Sequence, residues 1–150
     1  MKLFRFALLG VSLLVASPEP SEAQLQRSNP QGMSQPTTYS HVVRAGNLLF
    51  IAGQVSTDSA GQLVGAGDMR AQVKQVLENL KRALASQGAD FSHVAKINTF
   101  TTDIEAFLTA REVREEYFKG HPPASTLVEI KRLARPEFLV EIEAIALLPN

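Results

Sequence analysis

The 150-residue chain has no cysteine, which removes disulfides, thiolate nucleophiles and every cysteine-based zinc motif. Neither sign of charge is in excess. The 15 basic and 15 acidic residues balance, so no long-range field recruits nucleic acid, and no basic groove stands out as a partner surface for it. His41, His93 and His121 are scattered with no HExxH or related spacing, so a metal site would need ligands gathered from distant segments, and none is expected. The glycine-rich stretch from Asp58 to Gly67 is not followed by Gly-Lys-Ser/Thr, which excludes a phosphate loop there. No cofactor is expected.

The residues present divide the chain into three parts. Lys2 and Arg5 precede a continuous apolar run from Phe6 to Ala16, Pro18 and Pro20 break it, and Ser21-Glu22-Ala23 supplies small residues for a peptidase. Residues 1–23 therefore read as a secretory signal, too short for a confident membrane span, and the mature chain is expected in the periplasm or outside the cell, with no membrane partner once the signal is cut near Ala23. Residues 24–38 are polar, with prolines and a glycine, and read as an irregular arm. Residues 39–150 have room for one domain with one modest core.

Within that domain, YSHVVRAGNLLFIAGQVS reads as two strands joined at Ala45-Gly46-Asn47. Gly53 inside the second strand marks a bulge or a close approach by another backbone or a ligand. Asp68 caps a helix whose Met69, Val73, Val76, Leu77, Leu80, Ala83 and Leu84 recur at three and four, with Gly88 beyond its end. Val94 to Thr102 alternates as a strand. Asp103 then caps a helix from Ile104 to Phe118, with Phe107, Leu108, Ala110, Val113, Arg114, Tyr117 and Phe118 on its inner face. Two further strands follow, STLVEI and LVEIEAIALL, the second setting Glu141 and Glu143 against Val140, Ile142 and Ile145. Such acids amid aliphatics lie at a sheet surface or on the polar floor of a pocket.

The order β-β-α-β-α-β-β predicts an α+β domain, a mixed sheet with both helices on one face. The other face, lined by Val42, Leu49, Ile51, Val140 or their neighbours, is too apolar to stay wet. The chain is therefore expected to associate, with pockets along the seam between copies.

Tyr39-Ser40 before a strand, AGNLLFIAGQV, the helix-bearing middle, PPASTLVEI and VEIEAIA together resemble the RidA/YjgF/UK114 family over about residues 28–148. The resemblance implies a chorismate-mutase-like fold and a homotrimer around a central barrel, with small-molecule clefts between subunits. In the best-known branch it implies hydrolysis of enamines and imines to a 2-oxo acid and ammonia. It carries the water-positioning glutamate to Glu141, a pocket tyrosine to Tyr39 and a ligand-facing backbone to Gly53. The family's cleft cysteine falls on Leu127, and two cleft positions of the second helix fall on Arg111 and Arg114. Phase alone does not choose between Glu141 and Glu143, which share a strand face; the resemblance chooses Glu141.

The departure is at Ser125, where the active branch has the arginine that clamps the substrate carboxylate. A serine offers one neutral hydrogen bond in place of a two-pronged cation. Losing such a desolvated clamp costs roughly 2–5 kcal/mol, or about 30- to several-thousand-fold in kcat/KM. The leading expectation is thus a trimer binding a small metabolite, with altered activity. Its alternatives are an enamine/imine deaminase whose anchor has moved to Arg111, Arg114 or Arg132, and a hydrolase of another small substrate. Ribonuclease activity is disfavoured by the neutral surface.

Overall fold

The computed structural model describes residues 24–148; the segment read as a signal lies outside the described residues. Alternating strands zip into a six-stranded sheet: β1 (Gln26–Ser28), β2 (Val42–Ala45), β3 (Leu48–Gln54), β4 (Val94–Thr101), β5 (Ala124–Glu129) and β6 (Val140–Leu147). Their order is β1-β2-β3-β6-β4-β5, antiparallel except for the β4–β5 pair. The helices are α1 (Met69–Ala85), α2 (Ile104–Thr109) and α3 (Arg111–Tyr117). This is the expected α+β architecture.

Period-two geometry gives each strand one inner edge. Leu49 and Ile51 of β3, Ile97 of β4, and Val140, Ile142, Ala144 and Ala146 of β6 form the core with Val73, Val76, Leu77, Leu80 and Leu84 of α1. All seven apolar positions expected on α1 are buried, and Asp68 Oδ1 caps it by accepting from the Ala71 N–H at 3.0 Å. The strands β2 and β3 turn through Gly46-Asn47, with Gly46 at φ 62°, the backbone that a tight hairpin needs.

The structure changes four local expectations. The arm is not wholly irregular: Gln26–Ser28 add an edge strand to β2. Its side chains are mostly exposed, so the pairing is made by backbone and leaves no hydrophobic pattern to read. The second helix is broken at Ala110, whose φ −96° and ψ 17° end α2 and start α3. Phe107, Ala110 and Val113 turn inward at intervals of three, and Leu108 is left 52% exposed rather than inside. Ile145 lies on the glutamate face of β6, because strict alternation from the buried Ile142 and Ala144 carries it there.

The fourth concerns the open face of the sheet. Val42, Leu49, Ile51 and Val140 are all buried under the helices, and it is their neighbours Val43, Leu48, Phe50, Ile145 and Leu147 that line the uncovered side. Phe50 and Leu147 are 43% and 49% exposed. An apolar sheet face of this kind is a surface for association.

A buried glutamine ties the helix layer to the sheet. Gln72 Nε2 donates to the carbonyls of Gly65 (3.1 Å) and Glu137 (2.9 Å), while its Oε1 accepts from the Leu139 N–H at 2.9 Å. It thereby holds the loop leading into β6. Gln72→Leu leaves those groups unpaired and is expected to lower unfolding free energy by about 2–4 kcal/mol, read by chemical denaturation; a loss under 1 kcal/mol would be too small for this role.

Candidate functional site

The strand pair β3–β6 is interrupted by a register shift between Ile51 and Gln54. Gly53 sits in that bulge, and the Glu141 side chain lies directly over it: a Cβ at position 53 would fall inside the Glu141 carboxylate. The glycine that breaks the strand pattern thus leaves the space that a side chain of this same chain fills, and a larger residue there would displace the Glu141 carboxylate. Tyr39, Ala52, Gly53, Val55, Ala134, Phe138 and Glu141 line a cavity of about 360 Å³ at this point.

Burial pushes the Glu141 carboxyl above the usual carboxylate range, and the negative charge of Glu143 adds to the shift. The two acids are not equivalent. Glu143 Oε1 accepts from Asn98 Nδ2 at 2.7 Å and lines a separate hollow on the open sheet face. The Glu141 carboxyl makes no hydrogen bond or ion pair to the described residues, so its lone pairs are free for a water or a ligand. Burial, then the Glu141 charge, likewise raises the Tyr39 hydroxyl, which stays protonated and able to donate.

Tyr39 is held from behind by a residue that the sequence had offered only as a scattered histidine. The His41 ring meets it edge-on at 5.5 Å. The Ser34 carbonyl, which can only accept, lies 2.9 Å from His41 Nε2, so that nitrogen carries the proton. Nδ1 then accepts from Gln54 Nε2 at 3.3 Å, and the amide is oriented by donating to the Ala52 carbonyl at 2.8 Å. This buried network of arm, His41 and Gln54 fixes the wall of the cavity. No motif announces it, since its partners are mostly backbone carbonyls.

The other expected residues lie elsewhere. Arg111, Arg114, Glu115, Phe118, Pro122, Pro123 and Ser125 line a second cavity of about 300 Å³. Arg111 Nε donates to Glu115 Oε1 at 2.7 Å. The Arg114 guanidinium lies over the Phe107 ring, 5.2 Å from its centroid, and its buried Nε has no partner, an arrangement that costs about 1–3 kcal/mol. Leu127 packs against the core and lines neither cavity, and the exposed Arg132 lines neither.

The register shows why the two sets do not meet. Ser125 pairs with Ile97, and Ile97 with Ala144, both buried on the helix side. Glu141 pairs with Phe100, one residue out of phase, and so projects from the opposite face. Within one chain, Glu141 and Ser125 are separated by the sheet itself.

A pH dependence follows from the buried acid. The folded carboxyl of Glu141 binds its proton more tightly than in the unfolded chain, so ionising it as pH rises weakens the fold. Glu141→Gln is expected to raise the thermal midpoint at pH 7, with a smaller gain at pH 4, where the wild-type carboxyl is largely protonated. A midpoint lowered at pH 7 would contradict the burial of this charge.

The family model described as Endoribonuclease L-PSP matches residues 31–148. The protein DfrA of Myxococcus xanthus is 44% identical over 110 residues, covering 72% of this chain and 83% of that protein. The mouse protein named 2-iminobutanoate/2-iminopropanoate deaminase is 39% identical over 109 residues, 72% of this chain and 79% of its own length. A solved structure from Thermotoga maritima, titled a putative endoribonuclease, superposes with a TM-score of 0.76 at 34% identity, covering 83% of this chain and 97% of that one. A match over most of the described domain, with relatives near 40% identity, settles what the fold and the Tyr39–Gly53–Glu141 cluster had indicated: the chain belongs to the Endoribonuclease L-PSP family, also called RidA/YjgF/UK114.

Proposed function

We propose that the protein binds a small metabolite in clefts between copies and hydrolyses a carbon–nitrogen double bond there, with Glu141 as the water-orienting group. The observation that carries this is the Glu141 carboxylate itself: half-buried, raised by burial, without a protein partner, and laid across a glycine beside Tyr39. A carboxyl shifted toward neutrality, held next to a space for substrate, suits a general base. A water held by Glu141 adds to the imine carbon, and the carboxylate takes one proton from it and passes that proton to the nitrogen, returning to its ionised form. Collapse of the resulting carbinolamine breaks the C–N bond, releases ammonia and leaves a carbonyl. The relatives named for iminobutanoate and iminopropanoate deamination support that reaction class.

Composite clefts are supported by the two half-lined cavities and the apolar open face. Three copies that pack Val43, Phe50, Ile145 and Leu147 inward would cover that face and bring the Glu141 half of one copy to the Ser125 half of the next. A cyclic trimer uses such a heterologous contact and closes. A second reading, binding without turnover, is favoured by Ser125, which offers no charge to an acidic substrate.

The test is hydrolysis of 2-iminopropanoate, generated in situ by an amino-acid oxidase, on protein shown by sedimentation equilibrium to be trimeric. Glu141→Gln is expected to lower kcat about 100-fold or more with little change in KM. An unchanged kcat, or a monomer at micromolar concentration, would overturn the proposal; ligand binding with wild-type turnover at the buffer rate would establish the second reading.

A further inference from the structure

The cavity over the β5 edge contains more positive charge than its serine suggests. Arg111 and Glu115 neutralise each other through their 2.7 Å bond. That leaves Arg114, four residues before Phe118 on the same wall. Its guanidinium makes no hydrogen bond or ion pair to any described residue, and its Nε is cut off from solvent without an acceptor. The Phe107 ring beneath it, at 5.2 Å, holds the plane in place. Tertiary structure has thus half-buried a cation and matched it with a ring face but with no bonded anion, while Glu115, whose charge reaches it, is bonded to Arg111. Around it, Phe118, Pro122 and Pro123 give apolar walls and the Ser125 hydroxyl gives one neutral hydrogen bond.

We propose that Arg114 is the anion-binding group of this cavity, and that the cavity takes the carboxylate of a small monoanionic ligand, with Ser125 as a secondary donor. This inference rests on the reading of the cleft as a metabolite site, and it names the class of ligand. One uncompensated positive charge selects one negative charge. A dicarboxylate would bring a second charge with no partner into a partly desolvated space, whereas a planar carboxylate matches a guanidinium fork that is already fixed by packing. The position of the anchor shifts from the strand, where Ser125 stands, to the helix above it. The break at Ala110 starts α3 afresh, setting the direction in which Arg111 and Arg114 project.

Binding of pyruvate, the oxo acid that hydrolysis of 2-iminopropanoate would release, tests this by calorimetry on the full mature protein, with methyl pyruvate as the uncharged control. Arg114→Gln is expected to weaken pyruvate about 30-fold or more and to leave methyl pyruvate within a few-fold. Arg114→Lys, which keeps the stem and the charge, retains an intermediate affinity and guards against misfolding of the glutamine variant. Ser125→Arg placed on Arg114→Gln restores pyruvate binding, an outcome that a merely structural Arg114 does not produce. Pyruvate bound no better than its methyl ester by the wild type, or an affinity unchanged in Arg114→Gln, overturns the inference. The hydrolytic reading is judged separately: Glu141→Gln is expected to retain pyruvate binding while losing turnover, so a failed anchor and a failed water-orienting group give different results.

Discussion

The carboxylate of Glu141 lying on the backbone of Gly53 is the contact on which the site depends. It needs a strand position with no Cβ, a bulge that takes Gly53 out of register, and a neighbouring strand that presents an acid at that height. Each requirement works against stability, since an interior glycine weakens a strand and a half-buried carboxylate is poorly solvated. The structure offsets this with a well-covered opposite face, where α1 packs an unbroken apolar stripe against β3 and β6. A destabilising spot held on a rigid sheet is a usual place for chemistry.

The sheet also decides what a single chain cannot do. Alternation sends Glu141 to one face and Ser125 to the other, so no side-chain rotation brings the two sets of residues together. The same alternation leaves Phe50, Ile145 and Leu147 on the Glu141 face. The exposed apolar surface and the unpartnered acid are thus on one side of the sheet. In the proposed trimer, the period of a β-strand would couple association to function.

Much of this was legible in the residues. The cap at Asp68, the α1 stripe, the hairpin at Gly46 and the bulge at Gly53 all follow from local rules, because each is set by spacing or by a backbone that few residues tolerate, whereas the Glu141 side chain over Gly53 does not. The shared face of Glu141 and Glu143 was equally clear, but which acid stays free was not, since Asn98, which occupies Glu143, comes from a strand 45 residues away. Ala110 gave no sign of a helix break: alanine favours helix, and the break comes from packing Phe107, Ala110 and Val113 at intervals of three. Ile145 has the apolar character of a core residue, and only its odd spacing from the buried Ile142 and Ala144 places it on the other face. The network behind Tyr39 and the clamp at Gln72 were hidden because their partners are main-chain groups, which have no letter in the sequence. Arg114 could be named as a candidate, but only the fold shows it half-buried over Phe107 without a partner for its Nε.

The central claim is that the site is shared between copies, with Glu141 from one and Arg114 from another. Co-refolding equal amounts of Glu141→Gln and Arg114→Gln, each impaired alone, tests it most directly. Random mixing in a cyclic trimer gives about a quarter of the clefts both intact halves, so imine hydrolysis should return to about a quarter of the wild-type rate. A mixture no more active than its two components would show that both groups act within one chain, or that they do not serve one site.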